Sequence, residues 1–133
     1  MSENLDLVRS IYTTWERGDF ASAAWAHPEI QLVVADGPMP GAWKGLAELG
    51  EAWHEWTDAW AGFQAVAEEY RELDADRVLV LIRRSGRGKT SGMELEQMRT
   101  EGASLFRIRD GKVIGIVNYF DRKRALADLD LAE

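Results

Sequence analysis

The stretch that decides the fold is residues 104–121, "SLFRIRDGKVIGIVNYFD". Asp110-Gly111 supplies the backbone angles of a tight hairpin turn, and runs rich in Leu, Ile, Val, Phe and Tyr flank it. Two antiparallel strands are therefore expected. The first reaches back through "MELEQMRTEGASLFRIR" (93–109), with a bend near Gly102; the second is "KVIGIVNYF" (112–120). Alternation along the second strand puts Ile114, Ile116, Asn118 and Phe120 on one face and Val113, Gly115, Val117 and Tyr119 on the other. Both faces are largely apolar, whereas a solvated face reads polar. The Ile114 face is expected to line an interior in which Asn118 needs a partner, a water or a ligand. The other face is expected to meet a second copy of the chain, making a homodimer.

Upstream of this hairpin, "RVLVLIRRSG" (77–86) and "FQAVAEEYREL" (63–73) read as strands, with "RGKTSG" (87–92) as a turn. Before residue 63 the pattern is mostly helical. In 4–17, Leu5, Val8, Ile11, Tyr12 and Trp15 recur at helical spacing, and Gly18 closes the run. A short helix is expected in "FASAAWAH" (20–27), ahead of Pro28, then a strand in "IQLVVAD" (30–36) and a loop in "GPMPGAWKG" (37–45). Residues 46–60 form a helix striped by Leu46, Leu49, Trp53, Trp56 and Trp60. "DRKRALADLDLAE" closes the chain as a short helix, with Asp121 placed to cap it. Helices set apart from a mainly antiparallel sheet make one α+β domain over 1–133, with room for a pocket between the layers.

The 133 residues suffice for one core, and 46% apolar with 29% charged residues is a globular composition. A formal charge of -7 disfavours nucleic acid and anionic membrane surfaces as partners. The absence of cysteine excludes disulfides and thiolate chemistry and fits a cytoplasmic location. No run approaches the ~18 apolar residues of a membrane span.

The ordered set "YTTWERGDF", "VVADGPMPGAWKGLAEL", "SLFRIRDGKVIGIVNYFD" and "DRKRALADL" resembles the nuclear-transport-factor-two-like superfamily, and within it the SnoaL-like domains. That resemblance implies a cone-shaped half-barrel of curved sheet, helices across its open side, a deep apolar pocket and commonly a dimer through the outer sheet face. Among relatives of this fold it implies ketosteroid isomerase or polyketide cyclase chemistry, by proton abstraction, isomerisation or cyclisation. The alternative is a non-catalytic binding or dimerisation domain, because one fold hosts many functions. No cofactor is implied. In those isomerases and cyclases an aspartic acid precedes the pattern matching "LFRIRDGK"; here that position is Ser104, which donates a hydrogen bond but is a poor acid.

The remaining candidates follow. Asp36 ends the first strand, where a carboxylate beside Trp43 could act as a base, although Asp is also favoured before Gly37-Pro38 as a turn residue. Asn118 and Ser104 would supply polar help. Arg83 could meet Glu94 or Glu96 across strands in the pocket, and Met98, Phe106, Ile116 and Phe120 would line it. His27 is placed at the pocket rim as a proton shuttle or cap. His54 and Asp58 are four apart on one helix, which is two ligands and no metal site. "GRGKT" (86–90) lies between strands and is not a phosphate loop. All six tryptophans (Trp15, Trp25, Trp43, Trp53, Trp56 and Trp60) precede residue 61. With Tyr12 they would roof a pocket suited to a flat apolar small molecule.

Overall fold

Nine elements follow in the order α1 (Glu3–Glu16), β1 (Ala26–Val34), β2 (Gly41–Lys44), α2 (Gly45–Ala59), β3 (Trp60–Glu72), β4 (Arg77–Gly88), β5 (Gln97–Arg109), β6 (Lys112–Tyr119) and α3 (Arg122–Asp128). The computed structural model describes residues 3–17, 24–36, 40–88 and 97–131, with side chains described except at 56–64, 86–88 and 97–100. The six strands make one sheet in the order β2-β1-β6-β5-β4-β3. Every pairing is antiparallel except β1 with β6, so the sheet is mixed, with β2 and β3 as its edges and no closure into a barrel. This is the α+β class expected from the sequence.

The hairpin forms at Asp110-Gly111, both with positive φ, 52° and 76°. Its register carries a correction to the alternation read above. Arg107 pairs with Gly115 but Ile108 pairs with Val113, so Ile114 is an extra residue in β6, a β-bulge. The bulge reverses inward and outward below it: Val113 is fully buried in the core with Ile116, whereas Ile114 lies beside Arg107 and Arg109 in an outer cleft. Two further boundaries differ. β1 begins at Ala26, so His27 and Pro28, read as a helix end, open a strand; its pairing with β6 is interrupted between Ala26 and Gln31, where a residue without an N–H is tolerated. Gly41–Lys44, read as loop, pairs with β1 and sets Trp43 opposite Leu32. The short helix expected over 20–27 does not form where the chain is described, because 24–25 make a turn and Ala26 and His27 open β1; residues 20–23, Glu94 and Glu96 lie outside the described residues.

Two apolar clusters flank the sheet. On the helix side, Val8, Ile11, Tyr12 and Trp15 of α1 and Leu49 and Ala52 of α2 pack on Ile30, Leu32, Val78, Val80, Ile82, Phe106, Ile108, Val113 and Ile116. On the other side, Ala125 and Leu126 of α3 cover Leu79, Leu81, Ala103, Leu105 and Tyr119. Asp121 caps α3 by accepting from Lys123 N at 3.0 Å. Arg122 then pins the helix down, donating to Glu68 Oε1 at 2.7 Å and to the Ile82 and Gly102 carbonyls at 3.0 and 3.2 Å. The apolar outer side of β4 and β5 is thus answered within the chain. Among the described residues no helix is long and apolar enough to cross a membrane.

Candidate functional site

The inward side chains of three neighbouring strands bring four polar groups together beneath α1. β4 contributes Arg84, β5 Ser104, β6 Asn118, and α1 lowers Tyr12 onto them. Ser104 and Asn118 are register partners, and the Ser104 hydroxyl lies 2.6 Å from Asn118 Oδ1. Arg84 Nη2 donates to Ser104 Oγ at 3.2 Å and Nη1 to the Tyr119 carbonyl at 2.7 Å. The Tyr12 phenol borders the same cavity and feels the Ser104 hydroxyl. A serine hydroxyl has one proton and two acceptor sites. Arg84 can only donate, so Ser104 accepts from Arg84 and donates its one proton to Asn118 Oδ1. That assignment turns Asn118 Nδ2, a donor, toward the cavity.

Burial sets the electrostatics. Arg84 is 4% exposed, and its guanidinium carbon lies 4.6 Å from the centroid of the Phe120 ring. Desolvation pulls this guanidinium down from 12.5 to about 10, against the attraction of Tyr12 and Asp36. Burial pushes the Tyr12 phenol up to about 12, although the Ser104 hydroxyl and Arg84 work the other way. Neutral Tyr12 therefore supports the fold fully below its unfolded pKa of 10.0, and that support is lost as pH rises through about 12. In a spectrophotometric titration Tyr12 is expected to ionise last of the three tyrosines, near pH 12 or when the fold opens, and Tyr12→Phe should remove that final phase. Completion of all phenol ionisation near pH 10 in folded protein would contradict the buried network.

Above the polar floor the wall is aromatic. Trp15 is its hub, edge-to-face with Tyr12 at 5.0 Å, Trp53 at 5.3 Å and Trp25 at 5.8 Å. Trp15, Trp43, Trp53 and Phe120 border a cavity of about 60 Å³. An open site for a drug-sized molecule measures about 300–1,000 Å³ and a cavity that takes up one benzene about 150 Å³, so even a single ring needs the wall to move.

The expected site residues are distributed as follows. Tyr12, Trp15, Trp43, Trp53, Ser104, Asn118 and Phe120 come together on the cavity. Trp25 packs behind Trp15, and Phe106 and Ile116 are buried in the core beneath. Arg83 points away: its side chain is 61% exposed and reaches Glu68 at 3.8 Å. The inward arginine is its neighbour Arg84, which the sequence reading passed over. His27 sits in the outer cleft with Lys44 and Arg107, its Nδ1 accepting from Glu29 N at 3.0 Å. Asp36 follows Val34 on the inward side, but its carboxylate accepts from Phe120 N at 2.6 Å and Asp121 N at 3.3 Å, tying the end of β1 to the end of β6. The side chains of Trp56, Trp60, Asp58 and Met98, and all of Glu96, lie outside the described residues. No group of three metal-ligating side chains occurs among those described.

Comparison with known proteins places this geometry. The family model described as SnoaL-like domain matches residues 8–116. An NTF2-like protein of unknown function from Burkholderia pseudomallei superposes with a TM-score of 0.78 at 20% identity, covering 96% of this chain and 97% of that one. TerC, co-crystallised with polyporic acid, gives 0.75 at 22% identity over 96% and 98% of the two chains. A protein with a ketosteroid isomerase-like fold from Catenulispora acidiphila, in complex with trimethylamine, gives 0.70 at 12% identity over 96% and 94%. At these identities the likeness is one of fold. No curated protein matches the chain.

Proposed function

The chain belongs to the SnoaL-like domain family, and we propose that it binds a small, flat, largely apolar molecule in the cavity between its helices and its sheet. The observation that carries this reading is the polar floor of Arg84, Ser104, Asn118 and Tyr12 beneath an aromatic wall. A domain that needed only a core would gain stability by replacing a buried arginine and its neutral partners with hydrocarbon. Rings such as those of Trp15, Trp43 and Trp53 hold a flat molecule by its faces, and the floor fixes an oxygen atom. Two structural relatives, TerC with polyporic acid and the Catenulispora protein with trimethylamine, were solved with small molecules.

The site is better equipped to polarise an oxygen than to remove a proton. Among the described lining residues the one carboxylate is Glu55, exposed on α2. Asp36, the expected base, spends both carboxylate oxygens on backbone N–H groups. We therefore place ligand binding ahead of isomerase or cyclase chemistry. The second reading, a binding or dimerisation domain whose pocket its own tryptophans fill, is favoured by the small free volume of about 60 Å³. The surface proposed for a homodimer narrows to the outer side of β1 and β6, where Val33 is 36% exposed and Ile114 and Val117 are half-buried, because α3 covers the apolar outer side of β4 and β5.

Intrinsic tryptophan fluorescence separates the two readings. Titration with one-ring and fused-ring aromatic compounds is expected to give saturable quenching or a spectral shift, since Trp15, Trp43 and Trp53 border the cavity. The same compounds should raise the melting temperature in step with their occupancy. Flat titrations together with an unchanged melting temperature would favour the self-filled domain.

A further inference from the structure

The geometry points to an anionic ligand: a planar ring bearing a delocalised oxyanion, set against the guanidinium of Arg84. This deepens the binding reading above and rests on it. Arg84 is nine-tenths buried or more, and a buried cation ordinarily sits against a carboxylate. Here its hydrogen-bonded partners are neutral, the Tyr119 carbonyl and the Ser104 hydroxyl, with the Phe120 ring stacked on it. No ion pair to Arg84 occurs among the described residues; Glu68, the acid of this region, lies on the other side of the sheet with Arg83 and Arg122. Asp36 is near enough to be felt, but its oxygens are taken by Phe120 N and Asp121 N.

The donor count has the same direction. A guanidinium carries five N–H groups in a planar fork that matches two oxygens at once. Tyr119 accepts from Nη1 and Ser104 from Nη2, and the remaining N–H groups of Arg84 have no acceptor among the described residues although the side chain borders the cavity. Asn118 Nδ2 adds a second donor on the same floor once Ser104 fixes the amide. The floor therefore offers positive charge and N–H donors, and the nearest carboxylate, Asp36, is held by two backbone N–H groups rather than by Arg84. A carboxylate, phenolate or enolate on a flat ring completes it: the ring meets the tryptophans and the oxygens meet Arg84.

The test compares benzoate with benzamide, which has nearly the same shape and no charge, by tryptophan fluorescence on the wild-type chain, Arg84→Met and Arg84→Lys. Wild type should bind benzoate at least tenfold more tightly. That preference should fall to about one in Arg84→Met, where benzoate loses much more affinity than benzamide, and persist in weakened form in Arg84→Lys. A phenolate source is read with 4-nitrophenol, whose ionisation is visible by absorbance. Binding to the wild-type protein should shift its apparent pKa down, and this measurement needs no variant to fold. Equal affinities for benzoate and benzamide with no shift of 4-nitrophenol, or a preference unchanged in folded Arg84→Met, overturn the anion inference and leave the binding reading standing. Failure of all three probes to bind overturns both.

Discussion

Gly102→Ala is expected to cost about 3 kcal/mol of stability, lowering the melting temperature by roughly 10 °C. A Cβ at this position would fall on the Tyr119 carbonyl oxygen and 2.5 Å from Arg84 Nη1. The arginine end can shift, but the carbonyl belongs to the neighbouring strand and moves only if β5 and β6 spread. Any spreading also breaks the Arg84 hydrogen bond to Tyr119. The glycine therefore serves close approach, which lets a guanidinium lie against the sheet. Gly50→Ala is the control: a Cβ there meets nothing within 4 Å, and in the interior of α2 alanine should stabilise by up to about 1 kcal/mol. Denaturant unfolding of both variants gives the comparison. A loss below about 1 kcal/mol at Gly102 would mean that the strands yield there.

The second large effect is expected at Ser104. Ser104→Ala removes the single atom that Arg84 and Asn118 share. It leaves the buried Arg84 Nη2 without its acceptor and Asn118 Oδ1 without its donor, at about 1–3 kcal/mol for each group stranded and more for the charged one. A total near 3 kcal/mol is expected in urea unfolding, with the benzoate preference of the remaining folded protein weakened because Arg84 loses its orientation. Ser104→Thr keeps the hydroxyl and should recover most of the loss. A Ser104→Ala variant as stable as wild type would show that the hydroxyl is not the hub.

Most of the architecture was legible, because the elements that define it are strongly patterned. The Asp110-Gly111 turn, the helical spacing of Val8, Ile11, Tyr12 and Trp15, and Asp121 before α3 are local signals, and each produced the element it implied. What failed was parity. The run from Val78 to Ile82 is apolar on both faces, because helices cover one side and α3 the other, so alternation could not say which arginine turns inward. A turn placed at 87–92 sets Arg83 opposite Glu96; the actual register sets Arg83 opposite Glu101 and Arg84 opposite Thr100. An odd shift in register exchanges every inward and outward residue, and it hid Arg84. Asp36 shows a different limit. Its position was read correctly as a strand end, but only the tertiary structure reveals which backbone N–H groups its oxygens accept from.

The bulge at Ile114 has a consequence for comparing sequences. With Ile114 removed, Val113, Gly115 and Ile116 would alternate in, out, in without a break, each keeping the side of the sheet it occupies now. A one-residue deletion at this point leaves the inward and outward sets intact, whereas the same deletion two positions later would remove the inward Ile116 and turn Gly115 to the inner side. Length differences between this chain and its relatives in the last hairpin are thus most readily absorbed at 114. An alignment forced through β6 without a gap, against a chain that lacks the extra residue, would set Asn118 against the wrong face if it is anchored on Ser104, and Ser104 if it is anchored on Asn118.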